Sequence, residues 1–347
     1  MVQVYRSAGY GELRNLLATE TAVVCNWLTE GVCMRLGMSW GVSWGLGLGT
    51  VMLAVSGVAL SGQMAAGPGA AASAVMRKSP GAELMLKAQK QFSNGKLKKA
   101  LALYEQAAEA APTLYEAALF AGDTEFKRKN YDEAGTWFAK AVAINPDRET
   151  AYRYWGDALM QKGERKAARS KFVDAVIAEP YTKAPWVGLQ QWANASNARL
   201  ASPPITPPKQ AVADEKGNVN VTVDSSSTGS PALGAWLVYS TQPMIWRSTE
   251  FKKHYPNETV YRHSLAEEAE SLRSVIAVVK EEKISEDKLD ATLKSLIALD
   301  RDGMLECWIL LNGADLGIAQ DYAAYRAAHR ALLHAYIDKY VIHFFAS

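Results

Sequence analysis

One regular spacing constrains this chain more than any other feature. Pro112, Pro146 and Pro180 stand at equal intervals, and the residues before each recur in kind. The first unit carries Ala88, Gly95, Leu97, Ala100, Tyr104 and Ala107; the second Gly122, Asn130, Tyr131, Ala134, Phe138 and Ala141; the third Gly156, Gly163, Arg165, Ala168, Phe172 and Ala175. A period of about 34 residues predicts stacked helix–turn–helix units. In each unit a small residue (Ala88, Gly122, Gly156) admits a second helix at close range, and an aromatic (Tyr104, Phe138, Phe172) fills the space. The pairs Tyr104/Ala107, Phe138/Ala141 and Phe172/Ala175 lie three apart and so share a helix face. Gly95, Asn130 and Gly163 are read as residues tolerant of the left-handed conformation where the first helix must end. Each closing proline cannot continue a helix and forces a turn. Arg165, where the other units carry Leu97 and Tyr131, is the one clear departure. One unit cannot bury its apolar faces alone, so neighbours must stack.

Over residues 82–198 this pattern resembles the tetratricopeptide repeat family. The resemblance implies an all-α fold: a right-handed helix–turn–helix solenoid of three repeats plus a capping helix, spanning 79–198. The cap is the stretch Thr182 to Arg199, with Trp186, Leu189 and Trp192 at helical spacing. The resemblance also implies a concave groove, lined by the first helices, that takes a protein or peptide. Its candidate residues are Met85, Gln89, Phe92, Leu119, Asp123, Phe126, Arg153, Asp157 and Met160. Chaperone-binding members clamp a terminal carboxylate with Lys and Asn. The matching positions here hold Met85, Gln89, Leu119, Asp123 and Arg153, so that clamp is absent. An aromatic and acidic lining suits an extended or helical peptide with apolar anchors and a basic residue. The competing reading packs Phe92, Phe126 and Met160 between helices. Asp123 and Asp157 are expected to be exposed carboxylates on one wall, or else structural partners of Arg153.

Before the repeats, no charged residue lies between Arg35 and Arg77, and Gly41 to Leu60 is a run of apolar and small residues. It reads as a secretory signal with cleavage at Ala59-Leu60-Ser61 or Ala72-Ser73-Ala74. The rival reading is an uncleaved membrane anchor through 41–60, since about twenty apolar residues span a bilayer. On this reading 34–74 is the signal or anchor, and 1–33 is an extension ahead of a true start at Met34. Either way the bulk of the protein is expected outside the cytoplasm.

After the repeats, 199–233 reads as a linker, with Pro203, Pro204, Pro207 and Pro208 followed by Ser225, Ser226 and Ser227. Val219, Val221 and Val223 alternate with polar residues after a Glu215–Asn218 turn, which permits a short hairpin. Residues 234–347 are expected to form a separate helical domain. One helix has the apolar face Leu265, Ala269, Leu272, Ile276 and Val279, with Ser264 and Glu267 as a capping box. A second starts at Ser285 and runs to Asp300. A last stripe carries Ile318, Tyr322, Tyr325, His329, Leu332, Tyr336 and Tyr340.

The 347-residue chain has a net charge of only +2, and no basic stripe points to nucleic acid. Cys25, Cys33 and Cys307 define no disulfide framework. No Gly-rich phosphate loop, Cys-x-x-Cys pair or Gly-x-Ser-x-Gly elbow is present. The cluster Tyr261, Arg262, His263, Glu267 and Glu268 admits an acid/base or metal reading, against which Glu267 is assigned to a helix cap. His334 and Asp338, four apart, are too few for a metal site. His329 and His343 are read as core histidines. Asp300, Asp302, Gly303 and Glu306 fail the calcium-loop pattern, because the first and last ligand positions are Ala298 and Ile309. Gly303 is then a helix end. No metal, cofactor or catalytic residue is therefore expected. The function expected is an exported or anchored adaptor. The alternatives are a ligand-binding or hydrolytic activity in the C-terminal region, or a self-assembling envelope protein.

Overall fold

The computed structural model of the chain describes residues 80–208, 212–213, 219–220 and 233–345. The expectations for 1–33, for the signal or anchor at 34–74, and for most of 209–232 lie outside these residues. Among the described residues no helix is long and apolar enough to cross a membrane.

The repeat period becomes three helical hairpins: α1 (Pro80–Ser93) with α2 (Leu97–Ala110), α3 (Tyr115–Lys127) with α4 (Tyr131–Ile144), and α5 (Glu149–Gln161) with α6 (Arg165–Ala178). The cap is α7 (Lys183–Ala195), with Leu189 and Trp192 buried as expected. The Gly–aromatic contacts are as tight as the sequence required. A Cβ added to Gly122 would sit 2.5 Å from the Phe138 ring, and one at Gly156 would sit 2.9 Å from Phe172. Each first helix ends alike, in a left-handed residue followed by a backbone bond reaching back five positions: Lys96 N to Gln91 O, Asn130 N to Glu125 O, and Glu164 N to Leu159 O.

One expectation within this turn is corrected. The left-handed residue of the second unit is Lys129 (φ 66), in register with Gly95 (φ 70) and Gly163 (φ 80). Asn130 has φ −90 and starts the next helix. The strict period, and not the tolerance of asparagine for this conformation, sets the position. Asn130 instead donates its amide to Glu125, 2.8 Å away.

The C-terminal region contains α8 (Leu233–Ile245), α9 (Leu265–Glu281), α10 (Ala291–Arg301) and α11 (Tyr322–Tyr336), linked by short helical turns. Ser264 caps α9 by accepting from Glu267 N, but the Glu267 carboxylate turns to the Tyr261 hydroxyl, so the reciprocal half of the capping box is missing. Ser285 precedes a single 3-10 turn, and Asp290 is the cap of α10, accepting from Leu293 N at 2.8 Å. Gly303 ends that helix at φ 68, as expected. The last stripe is broken: His329 departs from helical geometry within α11 and is exposed, contrary to its assignment to the core. His343 is half-buried, with Nε2 3.2 Å from Ala201 O.

The C-terminal region does not stand apart as the expected separate domain. Phe172, Val173, Val176 and Ile177 of α6, Leu189 and Trp192 of α7, and Leu272, Leu296, Trp308 and Tyr336 belong to one apolar core. Polar contacts reinforce it. Tyr322 donates to Ile177 O at 2.6 Å, and Arg326 and Arg330 reach Asp147 at 2.7 and 2.6 Å. Strand β1 (Ala198–Leu200) pairs antiparallel with the C-terminal β4 (Ile342–Phe344). The start of the expected linker is thus part of the fold, and Thr292 of α10 donates to Pro204 O at 3.2 Å. The short hairpin is present, with β2 (Val212–Ala213) antiparallel to β3 (Val219–Asn220).

The physical cause of the docking lies in the third repeat. Val173 and Ile177 are fully buried, whereas the equivalent places in the first unit hold Glu105 and Glu109. The outer face of α6 is apolar and must be covered.

Candidate peptide-binding groove

The period places α1, α3, α5 and α7 as successive first helices, and neighbouring ones from α3 onward pack against each other. Aromatic rings bind each unit to the one before it. Phe120 lies tilted against Tyr104 at 5.8 Å, and Tyr154 meets Phe138 edge-on at 6.1 Å.

The nine expected groove residues divide on this wall. Leu119 is only 4% exposed and belongs to the core of the second unit, so it offers nothing to a ligand. Met85 and Met160 are half-buried and pack against apolar cores. Phe126 packs edge-on against Tyr131 of its own hairpin at 5.5 Å, which favours the packing reading for that ring. Phe92 lies half-buried with the Lys127 ammonium 5.1 Å from its centroid. Gln89 is exposed and accepts from the Tyr104 hydroxyl at 2.9 Å.

The charged residues differ from expectation. Arg153 grips Glu149 through Nε and Nη2 at 2.8 and 3.2 Å, so the aspartates are not its ion-pair partners. Its guanidinium also lies 4.9 Å from the Tyr154 ring. Asp123 and Asp157 are half-buried, not exposed, and neither has a cation within 4.0 Å among the described residues. Burial pushes the Asp157 carboxyl up to about 6, with Glu149 adding to the rise and Arg153 only partly opposing it. Burial likewise raises Asp123, with Lys127 opposing. A carboxylate is costly to desolvate without a partner. The wall therefore carries two under-compensated acidic groups, one repeat apart.

Sequence reasoning missed Lys127 and Tyr154. The Tyr154 phenol is raised by burial and feels both Arg153 and Asp123. The period held the signal, since Phe120 stands one repeat before Tyr154.

The other polar candidates are held in ion pairs. His263 lies 2.9 Å from Asp315 and 3.2 Å from Glu268. Burial alone would lower its pKa, but these two carboxylates outweigh it and raise the imidazole to about 10. A ring held as a cation is a poor base near neutrality. Arg262 clasps Glu258 and Asp321, at 2.9 and 2.6 Å. His334 pairs with Asp338 at 3.1 Å. Asp302 is taken by Lys339, 2.6 Å away, and by Tyr340. Among the described residues no group of three or more His, Cys, Asp or Glu is placed to hold a metal ion.

A tetratricopeptide repeat family model matches residues 91–162. No curated protein matches the chain by sequence. Solved structures with similar segments include the Sgt2 TPR domain from Aspergillus fumigatus, 19% identical, covering 35% of this chain and 82% of that one at a TM-score of 0.33. Another is the first TPR of Spaghetti (RPAP3) bound to an HSP90 peptide, 22% identical, covering 33% and 92% at 0.32. A third is YrrB, described as a TPR protein with an unusual peptide-binding site, 14% identical, covering 68% and 94% at 0.30. With the periodic hairpins, the Gly–aromatic contacts and the family match over the same residues, the segment 91–162 is a run of tetratricopeptide repeats.

Proposed function

We propose that the protein is a non-catalytic adaptor holding a protein or peptide partner against its first helices, and that the partner presents a basic side chain to Asp123 and Asp157. Stacked repeats create extended surfaces suited to such binding. The carrying observation is the pair of half-buried carboxylates without an ion-pair partner. A cation from the partner would offset their desolvation, and the Tyr154 ring, whose phenol feels Asp123, supplies apolar surface beside it. The test is capture of partners by the full chain and by the Asp123→Asn/Asp157→Asn variant, across a salt series. The reading expects weaker capture and a flatter salt dependence in the variant. Equal capture by both proteins would refute it.

We also propose that the protein acts outside the cytoplasm. The support is sequence alone: the uncharged Gly41–Leu60 run after Arg35. Cell fractionation with N-terminal sequencing of the isolated protein tests this. Recovery of the protein in the cytosolic fraction with an intact N-terminus would refute it.

A further inference from the structure

A second groove, of about 510 Å³, lies away from the first helices, between the β1–β4 ribbon and α10. Its volume is that of a small-molecule site. Among the described residues Arg199, Lys294 and His343 line it. Arg199 on β1 is paired directly with His343 on β4, which puts both on one face of the ribbon. Lys294 enters from α10. Among the described residues no acidic side chain lines the groove. Arg262, Arg273, Arg301, Arg326 and Arg330 each hold a carboxylate. By contrast, neither Arg199 nor Lys294 has an acidic partner within 4.0 Å among the described residues. Asp302, which Tyr340 touches at the groove's edge, is already taken by Lys339 and Arg301. His343 is anchored by donating from Nε2 to Ala201 O at 3.2 Å, so Arg199 and Lys294 carry the charge of the cleft. Like charges lining one cleft focus a positive potential that only an anion relieves.

We propose that this groove binds a phosphate monoester. Two permanent cations match the dianion, and the Arg199 fork suits two phosphate oxygens at once. The Ser295 hydroxyl lines the same cleft as a further donor. Pro203, Pro204 and Ala298 supply an apolar wall for the organic part. A carboxylate monoanion would leave one cation uncompensated.

The test is calorimetric titration of the full chain with phenyl phosphate, benzoate and inorganic phosphate. Saturable binding of phenyl phosphate is expected, about tenfold tighter than benzoate, and weakened about tenfold by Arg199→Gln or Lys294→Gln. Arg199 sits in the ribbon, so its variant is checked for an unchanged melting curve. Lys294 is exposed on α10, and its variant alone keeps the proposal falsifiable. Absence of saturation, equal affinity for benzoate, or wild-type affinity in the Lys294→Gln variant overturns the proposal. Inorganic phosphate binding as tightly as phenyl phosphate would overturn the role of the apolar wall.

Discussion

Asp157→Asn should make the free protein more stable at neutral pH, and the gain should vanish in acid. Burial raises the Asp157 carboxyl from its usual 3.8 to about 6. The folded chain therefore holds this proton more tightly than the unfolded chain does. Stability contributed by the protonated form is complete below about pH 4 and is lost as pH rises through about 6, the reverse of a salt-bridged carboxylate. The interval corresponds to a ceiling of about 3 kcal/mol. The side chain is only half-buried, so solvent screening reduces the expected effect to about 1–2 kcal/mol. Asparagine removes the charge at nearly constant shape and should recover that amount at pH 7.5. Thermal melts of wild type and variant at pH 4 and pH 7.5 measure it. A midpoint higher by about 2–6 °C at pH 7.5, with near coincidence at pH 4, is expected. A pH-independent difference, or a less stable variant at pH 7.5, would refute the desolvation argument. A cationic partner should pull the same proton off, so binding near pH 6 should release protons.

Lys129→Gly should stabilise the chain by about 1 kcal/mol, because a side chain is removed from a left-handed position, and denaturant titration reads it directly. Gly122→Ala should destabilise by about 1–3 kcal/mol despite the better helix propensity of alanine, since its Cβ would lie 2.5 Å from the Phe138 ring; an unchanged midpoint would mean that the ring moves freely. A protease site engineered between Ser225 and Ser230 and then cut should leave two pieces that co-elute on gel filtration, because α6, α7 and the C-terminal helices share one core. Ile177→Glu should destabilise the protein and separate those pieces, since Ile177 is fully buried in that core.

The candidate groove was partly legible. The period located the first helices, which the family resemblance makes the groove wall, and it put Asp123 and Asp157 one repeat apart on successive first helices. Which residues were accessible was not legible, because Leu119 and Asp123 lie four apart on one helix and differ only in what packs over them. The state of the carboxylates was hidden for the same reason. Desolvation depends on what packs around each carboxyl, and for Asp123 that includes Tyr154 of the next unit. His263 makes the point for the C-terminal region: its partner Asp315 lies 52 residues away.

The sequence by itself determined the repeat architecture. Each hairpin is closed by contacts within one unit or between adjacent units, so the small residue at Gly122 and the ring at Phe138 are signals of short range. It also held the correct turn register, since Lys129 sits one period from both Gly95 and Gly163, although its residue type pointed to Asn130. Only the tertiary structure decided that residues 233–345 dock on the third repeat. The apolar outer face of α6, with Val173 and Ile177 where the first unit has Glu105 and Glu109, announces that something must cover it. It does not say what, because hydrophobic burial is non-directional and any apolar surface of matching shape would serve. The partner was fixed by the pairing of Ala198–Leu200 with Ile342–Phe344 and by Tyr322 at Ile177 O, contacts between segments some 145 residues apart in the chain.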